Sequence, residues 1–327
     1  MEKTPIISVV MAVYNTEKFL KKSVQSVIDQ TFSEWELICV NDGSTDNSLT
    51  ILNEFSKTDN RIRIYSQENS GRHAVPLNRA VSLSTGKYVF SLDSDDYISN
   101  DLLEKTYNRI IETGADLCLP DLYFINEQGD VQQSIIGLNN DRSKVLSNKQ
   151  AVALSLDWTI HAVGLWNSSI LKKNKFDEDG FSVEYSARVR LLNCISVVFS
   201  EGAYFYIQHN KATTKKFGMR QFYYVELDYK VKKLLKENHF ENNVIEKFEW
   251  QRVQRLVSVS RLYFCSLNLL SKEEREKIKE IIRKSFFDIN IQLCRNELNL
   301  LSAKKRFRYL LNFSNFYLFR IYCFLKK

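Results

Sequence analysis

Residues 88–96 read Tyr-Val-Phe-Ser-Leu-Asp-Ser-Asp-Asp, a short apolar run that leads directly into three carboxylates, Asp93, Asp95 and Asp96. Such a run is typical of a strand buried by helices on both faces of a sheet. Open α/β sheets bind their ligands outside the carboxyl ends of their strands. Neighbouring carboxylates repel one another unless a cation lies between them, and Mg²⁺ and Mn²⁺ prefer oxygen ligands. The stretch therefore predicts a metal–diphosphate site, with a solvated, helix-capping turn as the alternative.

Strand and helix patterns alternate on both sides of this stretch. The predicted strands cover residues 6–13, 35–40, 61–66, 88–92 and 116–123. Because helical patterns separate them, we expect an α/β fold with a mostly parallel sheet flanked by helices. Residues 127–150 are predicted to form a loop or small hairpin, and residues 158–209 to complete the same domain.

Polar residues follow the predicted strands at the points where the strands end. Because the carboxyl ends of parallel strands share one edge of the sheet, these side chains are expected to converge there. They are Tyr14, Asn15, Asp42, Arg72, Asp93 and Asp95.

The composition is that of an ordinary globular chain, with 327 residues, 44% hydrophobic and 26% charged. Its six cysteines form no C-x-x-C pair, which favours a reducing compartment. We expect neither a signal peptide nor a membrane-spanning segment. A dinucleotide-dependent oxidoreductase is rejected, because Tyr14-Asn15-Thr16 stands where G-x-G-x-x-G would follow the first strand.

The chain turns helical from about residue 219, and residues 304–327 contain seven basic groups and no Asp or Glu. Apolar residues recur there at helical spacing: Phe307, Leu310, Leu311, Leu318, Ile321, Phe324 and Leu325. This pattern predicts a helix that lies on a membrane surface. The alternative is packing against its own domain or another subunit of a homo-oligomer. No nucleic-acid partner is expected, because no recognised binding fold accompanies the basic residues.

Four segments carry a family resemblance: Ile7-Ser-Val-Val-Met-Ala-Val-Tyr-Asn15, Val40-Asn-Asp-Gly-Ser-Thr-Asp46, Asn69-Ser-Gly-Arg-His73 with Asn78-Arg79, and Leu92-Asp-Ser-Asp-Asp96. In this order and spacing they resemble family 2 glycosyltransferases of the inverting GT-A type. These are bacterial enzymes that extend polysaccharides or glycoconjugates. The resemblance covers about residues 5–125 and thins through about 210. It implies a GT-A catalytic domain over residues 1–218. The helical pattern of residues 219–327 predicts a separate C-terminal domain, which the resemblance does not cover.

The resemblance also implies roles in donor binding. Asp42 would accept a hydrogen bond from the nucleobase, such as N3–H of the uracil of UDP, and Ala12–Tyr14 would line the base pocket. Arg72 would lie near the base or the diphosphate. Asp95 would ligate Mn²⁺ or Mg²⁺, and Asp93 would contact the ribose or a water on the metal. The alternative for Asp42 is a structural role in the turn or in capping the following helix. For Asp46 this structural role is the preferred interpretation.

Inverting transfer needs a base that takes the proton from the acceptor hydroxyl. The family's aspartate is absent here, because the acidic pair before the expected helix reads Val183-Glu184. Glu184 is the candidate base and Asp179 the fallback. A solvent-facing glutamate at a helix start is the alternative for Glu184.

Further residues are placed near the site by the resemblance. His209 is a candidate ligand of the metal or the diphosphate, with an ordinary loop histidine as the alternative. Lys215 and Lys216 could contact phosphate or be solvated. His161 and Trp166 lie where relatives build the acceptor side, and Trp166 could equally be part of the core.

The resulting hypothesis is a metal-dependent inverting glycosyltransferase. It would use a nucleotide sugar, UDP-linked, and an acceptor hydroxyl on a polysaccharide, a lipid-linked glycan or a glycoprotein. We expect the protein to lie in the cytoplasm, bound peripherally to the inner face of the cell membrane. The alternative is a catalytically lapsed transferase fold that serves as a binding or scaffold subunit.

Overall fold

The computed structural model describes residues 4–178, 183–209 and 217–326. The chain divides into two compact units, Met1–Ala212 and Thr213–Lys327. The functions assigned to the two predicted domains stay predictions.

The first unit alternates strands and helices. Its strands are β1 (Ile7–Val13), β2 (Trp35–Asp42), β3 (Ile62–Gln67), β4 (Tyr88–Ser91), β5 (Tyr97–Ile98), β6 (Leu117–Ile125), β7 (Val131–Ile135), β8 (Leu146–Ser147), β9 (Leu165–Asn167) and β10 (Ser196–Ile207). Its helices are α1 (Glu17–Ile28), α2 (Ser48–Thr58), α3 (Ala74–Leu83), α4 (Leu102–Thr113), α5 (Asn148–Ser155), α6 (Ser168–Lys173) and α7 (Glu184–Leu192).

The strands form one sheet in the order β3-β2-β1-β4-β9-β6-β10-β5, with β7 beside β6 and β8 beside β10. The run β3-β2-β1-β4 is parallel throughout, as predicted. The next strand, β9, is antiparallel to both β4 and β6, whereas β6 and β10 are parallel. The α/β class is confirmed, and the sheet is more mixed than the sequence indicated.

Strands β1 and β2 are buried along their whole length. Helix α1 explains part of this burial, because Leu20, Val24 and Val27 recur at helical spacing and are fully buried in the same hydrophobic core as β1. Strands of a sheet that helices cover on both faces are expected to be apolar at successive positions, as these two strands mostly are.

Two segments were predicted only in outline. The polar segment after β6 contains the hairpin that was one of its two predicted forms, since β7 pairs antiparallel with β6. The apolar runs 195–199 and 203–207 belong to the single strand β10, whose register against β6 shifts between Phe199 and Ala203.

The second unit is helical in its described part. Its α-helices are α8 (Arg220–Glu237), α9 (Asn242–Cys265), α10 (Lys272–Asp288), α11 (Arg295–Asn299), α12 (Ala303–Ser314) and α13 (Phe316–Leu325). An ion network lies inside it: Lys232 Nζ contacts Glu249 at 3.3 Å and Asp288 at 3.0 Å, and Arg252 pairs with the same two carboxylates. Each buried cation thus has anionic partners, which offsets the cost of its desolvation.

The basic tail is two helices rather than one. Asn315 separates them with an extended backbone (φ −149°), and its side-chain oxygen accepts hydrogen bonds from the N–H groups of Tyr317 and Leu318. The break lets both helices pack a face on the second unit's core, in which Phe313 and Phe319 are buried.

Among the described residues, no helix is long and apolar enough to cross a membrane.

Glu36 is a buried carboxylate that ties β2 to its neighbours. It accepts hydrogen bonds from the Ser8 hydroxyl (2.7 Å), the Thr85 N–H and hydroxyl (both 2.7 Å) and Arg63 Nη1 (2.8 Å). Burial alone would raise the pKa of Glu36, but these hydrogen bonds outweigh it and lower the pKa. The ionised form therefore stabilises the fold at neutral pH.

We expect Glu36→Ala to reduce the free energy of unfolding at pH 7 by about 3 kcal/mol, because four donor groups lose a buried charged acceptor. A lowered pKa makes this contribution present above the ordinary glutamate pKa of about 4.3 and lost as the pH falls through the folded value. Urea denaturation at pH 7 and at about pH 3.5 measures the difference. Glu54→Ala, at an exposed position on α2, is the control. A wild type–variant difference that stays constant with pH would contradict the assignment.

Candidate functional site at the carboxyl edge of the sheet

Asp42 ends strand β2 and is 4% exposed. Its carboxylate accepts hydrogen bonds from Gln67 Nε2 (2.7 Å), the Ser70 hydroxyl (2.8 Å) and the Ser70 N–H (3.1 Å). The Ser70 N–H lies almost as close to the second carboxylate oxygen (3.2 Å). These contacts fix the carboxylate at the sheet edge.

Gly43 makes this arrangement possible. Its φ is +69°, and a Cβ built on it would lie 2.7 Å from the backbone nitrogen of Asn69. The loop after β2 can therefore lie directly against the loop that carries Ser70 only with glycine at this position.

The predicted residues at the end of β1 differ in their roles. Ala12 is buried in the strand, and Tyr14 is half-exposed beyond it. Asn15 adopts a positive φ of 52°, and its side-chain oxygen accepts a hydrogen bond from the Thr45 N–H (2.8 Å). Asn15 thus connects the loops after β1 and β2, which is a structural duty that the sequence did not indicate.

Arg72 follows β3 and donates from Nη1 to the backbone oxygen of Glu178 (2.6 Å). Asn78 on α3 strengthens the same link, because its Nδ2 donates to the Glu178 carboxylate (2.7 Å) and its Oδ1 accepts from the Phe176 N–H (2.8 Å). Residues 176–178 are therefore held against the loop after β3 and against α3. The Asp177 N–H in turn donates to the Ser186 hydroxyl on α7 (2.7 Å).

The turn after β4 is built around Asp96, which is buried. Its carboxylate accepts hydrogen bonds from the Tyr204 hydroxyl (2.7 Å) and the Ile207 N–H (2.8 Å), both on β10. Burial raises the pKa of Asp96 well above its usual range, and the nearby charges of Asp93 and Asp95 raise it further, whereas the two hydrogen bonds oppose these effects. Asp96 is therefore a structural anchor of the turn.

Asp93 and Asp95 project from this turn and are more exposed than Asp96. The Asp93 carboxylate lies 3.5 Å from His73 Nε2 and is 43% exposed. Asp95 Oδ2 lies 2.9 Å from Nε2 of the buried His209, which follows β10 and packs its ring 4.5 Å from that of Phe19. The structure thus brings the predicted metal-site residues Asp93, Asp95 and His209 to one turn.

The donor set fits a hard or borderline divalent cation. Among the described residues, no three His, Cys, Asp or Glu side chains form a complete ligand cluster. Mn²⁺ and Mg²⁺ sites of this kind use one or two carboxylates and complete their shell with substrate phosphates and water. Asp95 and His209 are close enough to serve as two ligands, and imidazole suits transition-metal ions such as Mn²⁺.

Glu184 is the first residue of α7. Its Oε2 lies 3.3 Å from Arg188 Nη1, which also donates to the Glu184 backbone oxygen at 2.9 Å. Its role as base stays a prediction. Asp179 and Lys215, the other two predicted residues of the site, and Lys216 lie outside the described residues.

The two residues assigned to the acceptor side are buried. His161 Nε2 lies 2.9 Å from the backbone oxygen of Pro120, and burial lowers the pKa of His161 to about 4. Trp166 lies on β9 inside the sheet. Neither side chain offers a surface to an acceptor, so the core alternative for Trp166 is the one that the structure supports.

Four residues of the site were missed as contributors to it: His73, Asn78, Glu178 and Tyr204. Asn78 and His73 stand in the segments that carry the family resemblance, which is a signal that could have identified them. Tyr204 and Glu178 contact the site across more than 90 residues of sequence, and no local pattern indicates such pairing.

Residues 8–163 match the family model of Glycosyl transferase family 2. The chain is 34% identical to "Glycosyltransferase GlyG" of Streptococcus pneumoniae over 184 residues, which are 54% of this chain and 60% of that protein. It is 36% identical to the "Poly(ribitol-phosphate) beta-glucosyltransferase" of Bacillus spizizenii over 172 residues, 52% of this chain and 26% of that protein. The chain thus spans less than two thirds of the length of these relatives.

Solved structures share the fold. S. aureus TarS 1-349 in complex with UDP-GlcNAc superposes with a TM-score of 0.70 at 19% identity, covering 97% of this chain and 89% of that chain. The mannosyltransferase PcManGT from Pyrobaculum calidifontis, in complex with GDP-Man and Mn²⁺, superposes with a TM-score of 0.53 at 14% identity, covering 87% and 86%. The expected GT-A-like architecture with a helical C-terminal region is confirmed.

Proposed function

We propose that this chain, whose residues 8–163 match the model of Glycosyl transferase family 2, transfers a sugar with inversion from a UDP-linked donor to a hydroxyl group of a cell-surface glycan. One observation carries this proposal. Asp42, at the end of β2, and Asp93 and Asp95, just past β4, lie at the same edge of the sheet, on the two strands that flank β1.

The nucleobase of the donor would bind beside Asp42. A carboxylate is an acceptor that suits the N3–H of uracil, and the exposed ring of Tyr14 lies at the end of the adjacent strand. TarS, which shares the fold, binds UDP and UDP-GlcNAc. Arg72 would place its positive charge near the base or the diphosphate, and the predicted contact of Lys215 with phosphate is part of the same proposal.

The diphosphate would bind beside Asp93, Asp95 and His209. Asp95 and His209 would hold Mn²⁺ or Mg²⁺, and Asp93 would contact the ribose or a water on the metal. A bound cation would neutralise the charge that grows on the leaving nucleoside diphosphate. The Mn²⁺ complex of PcManGT supports a divalent ion in this fold.

Glu184 would act as the base, with Asp179 as the alternative. In an inverting reaction the acceptor oxygen attacks the anomeric carbon from the face opposite the diphosphate, and the base takes the hydroxyl proton. The contacts from Arg72 and Asn78 to segment 176–178, and from Asp177 to α7, support this placement, because they join the donor side to the helix that begins at Glu184.

The acceptor would be a growing polysaccharide, a lipid-linked glycan or a glycoprotein. The poly(ribitol-phosphate) relative favours a cell-envelope polymer. All six cysteines are free, which suits a reducing, cytoplasmic compartment. A lipid-linked acceptor would bring the enzyme to the inner face of the cell membrane as a peripheral protein.

A second candidate is a catalytically lapsed transferase fold that binds donor or partner without transfer. Two observations favour it: Val183 replaces the first acid of the expected pair, and the Glu184 carboxylate is engaged by Arg188. The two candidates share donor binding and differ in the proton transfer.

Asp42→Asn is expected to weaken UDP binding in the presence of Mn²⁺ by about 10- to 100-fold, because one hydrogen bond to a charged group is lost. Isothermal titration calorimetry measures the affinity. Asp46→Asn is the matched control, since the Asp46 carboxylate accepts hydrogen bonds from the N–H groups of Glu17 and Ser48, the first residues of α1 and α2. This variant should leave UDP affinity unchanged. Equal losses in both variants would show that the loop geometry, rather than the Asp42 carboxylate, sets the affinity.

Asp95→Asn is expected to remove the effect of the cation on UDP affinity. Mn²⁺ should strengthen UDP binding to the wild type by about tenfold or more over the value in EDTA, because it bridges protein and phosphates. The variant should bind UDP equally in both buffers. Asp101→Asn, which alters a carboxylate paired with Lys105, should behave as the wild type. A full Mn²⁺ effect in Asp95→Asn would exclude this carboxylate as a ligand.

Glu184→Gln is expected to lower the rate of sugar transfer by at least about 100-fold while UDP affinity stays unchanged, because the amide cannot accept the hydroxyl proton. The readout is UDP release with a panel of UDP-sugars and teichoic-type acceptors. Glu201→Gln, on an exposed carboxylate of β10, is the control. Wild-type protein that binds UDP but neither transfers nor hydrolyses any donor would favour the lapsed alternative. An unchanged transfer rate in Glu184→Gln would exclude Glu184 as the catalytic base and leave Asp179 as the candidate.

A further inference from the structure

Helices α12 and α13 leave one apolar face exposed. On α12 the exposed face contains Phe307 (66% exposed), Leu310 and Leu311. On α13 it contains Leu318, Ile321 and Leu325 (73% exposed), flanked by Tyr317 and Phe324. In each helix the spacing of three and four residues, or seven, places these side chains on one side. We call these eight side chains the tail surface.

The opposite faces already anchor both helices. Phe313 of α12 and Phe319 of α13 pack on Phe286 of α10, with ring centroids 5.6 and 5.2 Å apart, and Cys323 is fully buried beside them. The tail surface is therefore additional to the core of the second unit. All seven apolar residues whose spacing predicted a membrane-binding face belong to it.

The charge around the tail surface has one sign. Residues 301–327 contain no acidic side chain. Lys304, Lys305, Arg306 and Arg320 are exposed, and Arg308 is half-buried. At 100° per residue, Lys304 and Arg308 lie on one flank of the apolar face of α12 and Arg306 on the other. Cations that border exposed Phe, Leu and Ile side chains are the pattern of helices that lie in the headgroup region of a bilayer.

We infer that the tail surface docks this chain on a bilayer that contains anionic lipids. The charge distribution selects this occupant over a second copy of the chain, because a symmetric contact would bring two cationic surfaces together without any acidic residue from the tail to compensate. The inference goes beyond the proposed transfer reaction, since it concerns residues outside the sheet edge and requires no donor or acceptor.

The test is co-sedimentation of the full chain with phosphatidylcholine vesicles, with and without phosphatidylglycerol. The wild type should pellet with the anionic vesicles, and raising the salt concentration should weaken the binding because exposed charges are screened. The double variant Ile321→Ser/Leu325→Ser should bind the anionic vesicles at least about tenfold more weakly, because it removes two aliphatic side chains from the interface. Lys304→Gln/Arg306→Gln, which removes an exposed cation from each flank of the apolar face of α12, should lose the preference for phosphatidylglycerol and keep the apolar face intact.

Ile195→Ser and Leu269→Ser are the matched controls, at apolar side chains 83% and 65% exposed outside the tail, and should bind vesicles as the wild type does. Circular dichroism melting and UDP titration of every variant separate loss of docking from loss of fold or of donor binding. Wild type that stays in the supernatant, or tail and control variants that bind equally, would overturn the inference. A second result would also overturn it: light scattering shows that the wild type is a dimer, Ile321→Ser/Leu325→Ser makes it a monomer, and neither protein binds vesicles. A chain that docks on vesicles but binds no UDP would overturn the proposed donor and leave the docking surface standing.

Discussion

Mutual repulsion among Asp93, Asp95 and Asp96 is the constraint around which the site is built. Three carboxylates within four positions are costly to hold together, and the fold treats them differently. Asp96 is buried and takes hydrogen bonds from Tyr204 and Ile207, so it anchors the turn to β10. The other two carboxylates remain accessible, with His73 near Asp93 and His209 near Asp95. The turn therefore presents two carboxylates, each beside an imidazole, at the edge of the sheet.

The same edge is reinforced by contacts between loops far apart in the chain. Asp42 holds the loop of Ser70, and Gly43 permits the close approach. Arg72 and Asn78 then hold Glu178, and the Asp177 N–H reaches Ser186 on α7. These hydrogen bonds, joined by short stretches of chain, link the proposed nucleobase-binding carboxylate to the helix of the proposed catalytic glutamate. Preorganisation of this kind matters, because catalysis is sensitive to displacements of about an ångström.

Much of this arrangement could be predicted from the sequence. The apolar strands end where polar residues begin, and parallel strands place their carboxyl ends together, so Asp42, Asp93 and Asp95 were expected at one edge. The insertion of β9 between β4 and β6 could not be predicted in this way. Its three residues are too few for a strand pattern, and its antiparallel pairing depends on how the chain returns after residue 125.

The sequence by itself determined the α/β alternation, the acidic turn and the apolar periodicity of the tail, because these depend on local spacing and on the chemistry of single side chains. Only the tertiary structure decided that Asp96 anchors the turn while Asp95 stays accessible, that Trp166 and His161 are buried, and that Asn315 divides the tail into two helices. These outcomes depend on partners such as Tyr204, Pro120 and Phe286, which lie far away in the chain. Burial and hydrogen bonding are settled by such long-range contacts, which local periodicity does not encode.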